Sequence, residues 1–323
     1  MTRIGFIGGG GIARRHLHVL RAFDDVELAA VADPACAAET AGAFGMTPYD
    51  SHERMLDSER LDAVYVCVPP FAHGPMERDL AERGVPFFVE KPLALDLETA
   101  EATARAVAEA GVVTAVGYHW RYMSHVETAK KLLDDRPARL ALGYWLADTP
   151  PPAWWHRRDG SGGQMVEQTT HIFDLARHLV GEAVAVTAAG GHASRADFPD
   201  LDIHDATAAL VTFASGAVGT FASTCLLGWT HRVGLHLFGD RLAVEVGEHD
   251  VMIDVGQGRP VTPATLDPVV AEDRDFVDAV QGGPNRVRVP YAEALRTHRL
   301  TLAAQRALET GQTVTLDPAP AHV

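Results

Sequence analysis

The sequence predicts an α/β protein, with a doubly wound parallel sheet at the N-terminus and then an α+β domain built on an open, mostly antiparallel sheet. Three observations carry this. Up to about Arg121, short β-rich runs alternate with amphipathic helical runs. The short runs are almost continuously apolar, as in parallel strands covered by helices on both faces. Beyond Arg121 the rhythm changes to long strands in series, a pattern that implies meander connections.

Taken in order, Arg3–Ile7 reads as a strand and Ile12–Phe23 as a helix. Val26–Ala32 is a strand, and Ala35–Phe44 a helix closed by Gly45. Leu61–Val68 is a strand, Ala72–Arg83 a helix ended by Gly84, and Pro86–Val89 a strand. Asp96–Ala110 is a helix ended by Gly111, and Val112–Val116 a strand. The second part opens with a helix, Val126–Leu133, and a long strand, Arg139–Ala147. A loop rich in Pro, Trp and Gly covers Thr149–Gly163, and a helix runs from Val166 to Val180. Strands follow at Asp205–Phe213, Ala217–Cys225, His231–Phe238, Arg241–Val246 and Val251–Val255. Helices at Val269–Val280 and Tyr291–Glu309 complete the chain. The expected division is residues 1–121 and 122–323, with no flexible linker at Tyr118–Tyr122.

Composition narrows the partners. The 323 residues suggest about two domains. A formal net charge of −15 repels phosphate backbones and anionic lipid, so neither nucleic acid nor membrane is an expected partner. Charges and turn residues interrupt every long apolar stretch, so no membrane span is expected. The start, Met-Thr-Arg-Ile-Gly, leads directly into a strand and reads as lacking a signal peptide. Cys36, Cys67 and Cys225 are odd in number and far apart, with no zinc spacing, and read as reduced thiols in the cytoplasm.

Strand Arg3–Ile7 feeds Gly8-Gly9-Gly10-Gly11-Ile12-Ala13 and then a helix, which is GxGxxA in the strand–turn–helix context of a dinucleotide site. Gly8 permits the tight turn, Gly10 lets backbone approach a pyrophosphate, and Ala13 lets helix pack on strand. Gly11 and Ile12 open the helix whose free N–H groups face the phosphates. Asp33 ends the second strand, where an acidic residue would hold the adenosine ribose hydroxyls. No Arg or Lys follows it closely, so NAD is favoured over NADP. Asp33 followed by Pro34 also has the pattern of a helix cap.

The chain has 25 arginines and three lysines, Lys91, Lys130 and Lys131. Lys130 and Lys131 lie on an amphipathic helix as surface charge, whereas Lys91 stands between Glu90 and Pro92 at the end of an apolar run. A lysine kept where arginine is the rule points to a task that a permanently charged guanidinium cannot perform. Pro69 and His73 follow the preceding strand, again at the carboxyl edge where ligands bind a parallel sheet. Later, Glu167, His171 and Asp174 fall at i, i+4 and i+7, one face of a regular helix. His178 extends that stripe, but ligands from one helix alone make no convincing site, so no metal is expected.

Together the GxGxxA turn, Val68-Pro69-Pro70 with His73, Glu90-Lys91-Pro92 and the segment Gly162–Asp174 resemble the glucose–fructose oxidoreductase / inositol dehydrogenase / rhizopine catabolism (Gfo/Idh/MocA) family over essentially the whole chain. The resemblance implies that Lys91 and His171 are active-site residues beside the nicotinamide. That family often has Asp four residues before the His and Gly two before it, where this chain has Glu167 and Thr169. It also implies a dimer or tetramer formed through the open sheet face.

The residue chemistry agrees with the implied reaction, NAD-dependent dehydrogenation of a sugar, cyclitol or related polyol at a secondary alcohol. Imidazole can take the hydroxyl proton and an ammonium can stabilise the developing alkoxide. Glu167 then binds substrate hydroxyls or tunes His171, or else is a first-turn acidic residue that complements the helix dipole, and Asp174 is a structural residue or orients the imidazole. Tyr118, Arg121, Trp154 and Trp155 are second-rank candidates for substrate contact, with His16 also in that rank and without a role. Arg121, at the domain junction, suits a substrate group or a carboxylate on the other domain, and Trp indole faces suit sugar C–H faces. A non-catalytic NAD-binding regulator and an NAD-dependent glycosidase are the alternative functions.

Overall fold

The computed structural model describes residues 1–317. They fall into two compact units: Met1–Tyr122 with Asp267–Leu295, and Met123–Leu266 with the chain from Arg296 onward.

In chain order, the first unit contains β1 (Thr2–Ile7), α1 (Gly11–Leu20), β2 (Val26–Ala32), α2 (Ala37–Phe44), β3 (Thr47–Tyr49), α3 (His52–Ser58), β4 (Ala63–Val66), α4 (Pro75–Glu82), β5 (Phe87–Val89), α5 (Leu97–Ala110) and β6 (Thr114–Val116). The second contains α6 (Ser124–Asp135), β7 (Leu140–Asp148), α7 (Arg158–Ser161), α8 (Thr170–Val180), β8 (Ala183–Gly191), β9 (Ala206–Phe213), β10 (Val218–Leu227), β11 (Arg232–Gly239), β12 (Leu242–Gly247), β13 (Asp250–Asp254) and β14 (Val261–Pro263). The chain then returns to the first unit in α9 (Pro268–Val280); α10 (Tyr291–Thr310) begins in the first unit and ends in the second, and β15 (Val314–Thr315) closes the description.

The first unit's sheet is all parallel in the order β3-β2-β1-β4-β5-β6. This is the doubly wound order of dinucleotide-binding folds. Its strands are apolar on both faces because each face has its own core. One core gathers Ile7, Val64, Val66, Phe87 and Val89, and the other Ile4, Phe6, Tyr65, Phe88 and Ala13 of α1. The strand β3 and the helix α3 have no counterpart in the sequence-based expectation. β3 is three residues long, half-buried to exposed and contains Pro48, which periodicity cannot register. The expected helix Ala72–Arg83 is broken at Gly74, which has φ +113° and leaves α4 to start at Pro75. A Cβ at Gly74 would lie 2.4 Å from Thr99 Cγ2.

The return of 267–295 departs from the expectation that everything after residue 121 belongs to one domain. Phe276 and Val277 of α9 join the core around Tyr65 and Phe88, and Val289, Tyr291 and Ala294 join the other. Periodicity shows that α9 has an apolar face but not which core receives it.

The second unit's nine-stranded sheet has the order β14-β13-β12-β11-β7-β10-β9-β8-β15. It is antiparallel except where β7 runs parallel to β10. The expected series therefore does not pair throughout as a meander, because β7 lies between β10 and β11. Crossing one intervening strand is about 9–10 Å, within reach of the short connection after Leu227. β8, absent from the expectation, is Ala-Val-Ala-Val-Thr-Ala-Ala-Gly-Gly, a composition of low strand propensity. On the covered face Gly143 of β7 leaves room for α8: a Cβ there would lie 2.7 Å from Ile172 Cγ2 and 2.5 Å from Phe221 Cδ1. On the other face, Leu210 and Val218 remain exposed.

Candidate active site

The glycine turn joins β1 to α1. Gly8 has φ +93°, and a Cβ there would lie 2.2 Å from the Cys67 carbonyl oxygen, so both backbone and space demand glycine. At Gly10 and Gly11 an added Cβ meets nothing within 4 Å. These two residues and Ile12 are exposed, while Ala13 is buried against the sheet. No side chain caps the N-terminus of α1, and its first turn holds no acidic residue. Its N–H groups thus suit an anion. Asp33 closes the turn from the other side: Oδ2 accepts from Gly9 N–H at 2.9 Å, and Oδ1 accepts from Ala35 and Cys36 N–H at 2.8 and 2.9 Å. The half-buried carboxyl is lowered from its ordinary value because these N–H bonds outweigh burial. The helix cap anticipated for Asp33-Pro34 is not formed: α2 starts at Ala37 with Cys36 as its N-cap and no side-chain cap, and the Asp33 bonds instead close a turn ahead of it.

Lys91 follows β5 at the same carboxyl edge, as do Gly8 after β1 and Pro69 after β4. The Lys91 side is half-buried, and Glu90 beside it is buried. Glu90 Oε2 accepts the Lys91 backbone N–H at 3.2 Å, and Oε1 lies 3.0 Å from His16 Nε2. His16 Nδ1 lies 2.8 Å from Asp273 Oδ1. His16, Glu272 and Asp273 offer atoms within 4.8 Å of one another, a metal-like spacing. Both ring nitrogens of His16 already face carboxylates, however, which is the geometry of an imidazolium and not of a metal ligand. His73 is buried with Nδ1 2.5 Å from Glu77 Oε1, and Glu77 Oε2 accepts from Gly74 N–H. Tyr118 is core, and Arg121 is buried with Nη2 3.0 Å from Glu293 Oε1, a carboxylate of the same unit.

In the second unit, Glu167 and His171 do not share one regular helix. Met165–Thr169 is a π-helical turn, and α8 begins only at Thr170. The wider turn shifts the phase of Glu167 out of the i, i+4, i+7 stripe expected with His171 and Asp174, while those two keep their i, i+3 relation within α8. Glu167 Oε2 accepts from Trp155 Nε1 at 2.8 Å. The buried His171 ring stacks on Trp145 of β7, with centroids 5.8 Å apart and planes at 20°. Asp174 is fully buried and accepts from Thr297 Oγ1 at 2.6 Å. Trp155 is buried in a small core with Leu201, Ile203 and Cys225, and Trp154 packs against it. Trp145 was not among the sequence candidates; an aromatic residue in a strand carries no signal that it will meet a particular histidine.

Residues 2–118 match the model of the GFO_IDH_MocA oxidoreductase family with an NAD-binding Rossmann fold, and 137–245 match the GFO/IDH/MocA C-terminal domain. Inositol 2-dehydrogenase of Rhizobium meliloti is 30% identical over 275 residues, covering 82% of each chain. The chain belongs to the GFO/IDH/MocA oxidoreductase family. Another relative, the NAD(+)-dependent scyllo-inositol 2-dehydrogenase of Bacillus subtilis, is 25% identical over 98% of this chain and 96% of its own. Among solved structures, levoglucosan dehydrogenase in complex with NADH superposes with a TM-score of 0.88 over 98% of this chain and 100% of its own, at 21% identity, a likeness of fold. As a GFO/IDH/MocA oxidoreductase, the protein has its NAD-binding Rossmann fold in residues 2–118, around the glycine turn described above. Among the described residues, no helix is long and apolar enough to cross a membrane.

Proposed function

We propose that this GFO/IDH/MocA protein dehydrogenates a secondary alcohol of a cyclitol, sugar or related polyol with NAD, in the cytoplasm and as a homodimer or homotetramer. The observation that carries the reading is Lys91, the one lysine held half-buried at the carboxyl edge of the parallel sheet, on the edge where the glycine turn opens. The names of the two inositol dehydrogenases above favour a cyclitol or sugar over a regulatory or glycosidase role.

In this reading Gly8, Gly10, Gly11, Ile12 and Ala13 form the pyrophosphate turn, and Pro69, His73, Glu90 and Lys91 line the nucleotide's edge of the sheet. Asp33 receives the ribose hydroxyls beside its backbone bonds. Its ionised carboxylate, without a neighbouring cation in sequence, favours NAD over a 2′-phosphorylated cofactor. Bound NAD supplies the hydride acceptor. His171 takes the hydroxyl proton, and the Lys91 ammonium stabilises the oxygen as negative charge develops. Glu167, held by Trp155, binds substrate hydroxyls or tunes His171. Tyr118 and Arg121 of the first unit and Trp154, Trp155 and Asp174 of the second are the candidate substrate contacts, and the open sheet face of the second unit supplies the oligomer contact.

The test is NADH formation from a panel of inositols and sugars by the wild type, Lys91→Arg and His171→Ala. Each substitution is expected to lower kcat by about 100-fold or more. Turnover that survives both nearly intact overturns the assignment. Free sugar released without net NADH points to a glycosidase instead.

A further inference from the structure

We infer that Asp273, carried by the returning helix α9, acts through His16 as a positioning pair that holds the Glu90 carboxylate against Lys91. The inference deepens the proposal above and rests on Lys91 acting in the reaction.

Geometry carries it. His16 is fully buried, with Nδ1 2.8 Å from Asp273 and Nε2 3.0 Å from Glu90. Ionised carboxylates only accept hydrogen bonds, so a ring placed between two of them donates from both nitrogens and is a cation. Its orientation is fixed by Tyr65 and Phe88, with centroids 5.3 and 4.9 Å away. The Tyr65 hydroxyl donates to Asp273 at 3.2 Å. Glu90 is equally confined. A Cβ on Gly117 would lie 2.4 Å from its Oε1, so the carboxylate occupies space that only glycine leaves open. Its other oxygen holds the Lys91 N–H. The result is a chain of alternating charge, Asp273, His16, Glu90, Lys91, leading from α9 to the sheet edge.

A buried ion chain is a poor way to gain stability, because desolvation offsets the attraction. Control of charge at its accessible end is the better reason for it. Burial alone would lower the His16 pKa, but Asp273 and Glu90 together hold it well above 6.5. Burial alone would raise Glu90, but the bond and charge of His16, then the charge of Lys91, bring it below its ordinary value. Asp273 itself is raised by burial against the pull of His16 and Tyr65. Glu272, next to it on α9, has neither oxygen hydrogen-bonded, and burial raises it well above the usual carboxylate range, so it stays a neutral acid. Arg15 of α1 acts on Glu272 and His119, Tyr122 interacts with Glu272, and Cys67 after β4 is a thiol that burial keeps neutral. His119, near Glu90, is pushed by burial to about 4 and is uncharged.

The experiment uses full-length protein. In the wild type, the 15N signals of the His16 ring are expected to show both nitrogens protonated at pH 8. In Asp273→Asn the ring is expected to titrate in the ordinary histidine range. Glu90, losing its cation, then protonates at higher pH, so the acid limb of kcat/KM for polyol oxidation moves up by about one pH unit or more. NAD affinity is expected to stay within about threefold, and Glu272→Gln to leave the limb in place. A neutral His16 ring in the wild type at pH 8 overturns the inference without any variant. So does a folded Asp273→Asn with an unmoved limb. Full turnover in Lys91→Arg, with His16 still protonated at pH 8, defeats the catalytic reading and leaves the ion chain standing.

Discussion

Lys91 and His16 show how far a single residue can be read. Lys91 stands out in the sequence because 25 arginines surround a count of three lysines, and it lies where a parallel sheet binds ligands. His16 carries no such mark. Its importance comes from Asp273, 257 positions away, which no local pattern connects to it. That pair makes stability depend on pH with a defined sign. The folded state prefers the imidazolium, so the stabilisation is fully present below the ordinary value of 6.5 and is lost as pH rises through the raised value. Glu272, whose folded state prefers the neutral acid, contributes a slope of the same sign that begins above its ordinary 4.5. Urea unfolding from pH 6.5 to 9.5 is therefore expected to show falling stability in the wild type and a shallower fall in His16→Gln. A wild-type stability that rises over this range contradicts the assignment. At the glycine turn, Asp33→Ala removes the acceptor of three backbone N–H groups. It is expected to weaken NAD binding by about tenfold or more, measured by titration of NADH fluorescence.

At the scale of elements, α8 and β7 illustrate both the strength and the limit of periodicity. The helix from Val166 to Val180 is evident in the sequence, but its first turn is π-helical, and that decides where Glu167 projects. Residue types at i, i+4 and i+7 are the same whether the turn is α or π, so only the backbone distinguishes them. Gly143 sets how closely the helix that carries His171 packs on β7. Gly143→Ala forces a methyl group to within 2.7 Å of Ile172 and 2.5 Å of Phe221. The expected cost is about 1–3 kcal/mol in denaturant midpoint measurements, with catalytic loss at temperatures where the protein remains folded. An unchanged midpoint would show that the helix can move away freely.

For the whole molecule, the two units differ in how they treat their sheets. Both faces of the first sheet are covered, each by its own core. The second sheet buries Val211, Phe213 and Phe221 on one face and leaves Leu210, Val218 and Leu140 exposed on the other. An exposed apolar face of this kind suits contact with a second copy. Light scattering coupled to size exclusion is expected to give a dimer or tetramer for the wild type and a smaller species for Leu210→Asp with Val218→Asp. A wild-type monomer across micromolar concentrations excludes the oligomer proposal.

The sequence by itself determined the doubly wound sheet, the glycine turn, the carboxyl-edge lysine and the family they indicate. Each is written in local periodicity or in short spacings, and strand–turn–helix chemistry acts over a few residues. Tertiary structure alone decided that β7 enters the middle of the second sheet, that α9 returns to the first unit, and that Asp273, His16 and Glu90 meet in one buried chain. Those outcomes depend on which apolar face finds which core and on charges brought together across hundreds of residues. Packing sets such pairings only once the whole chain is folded.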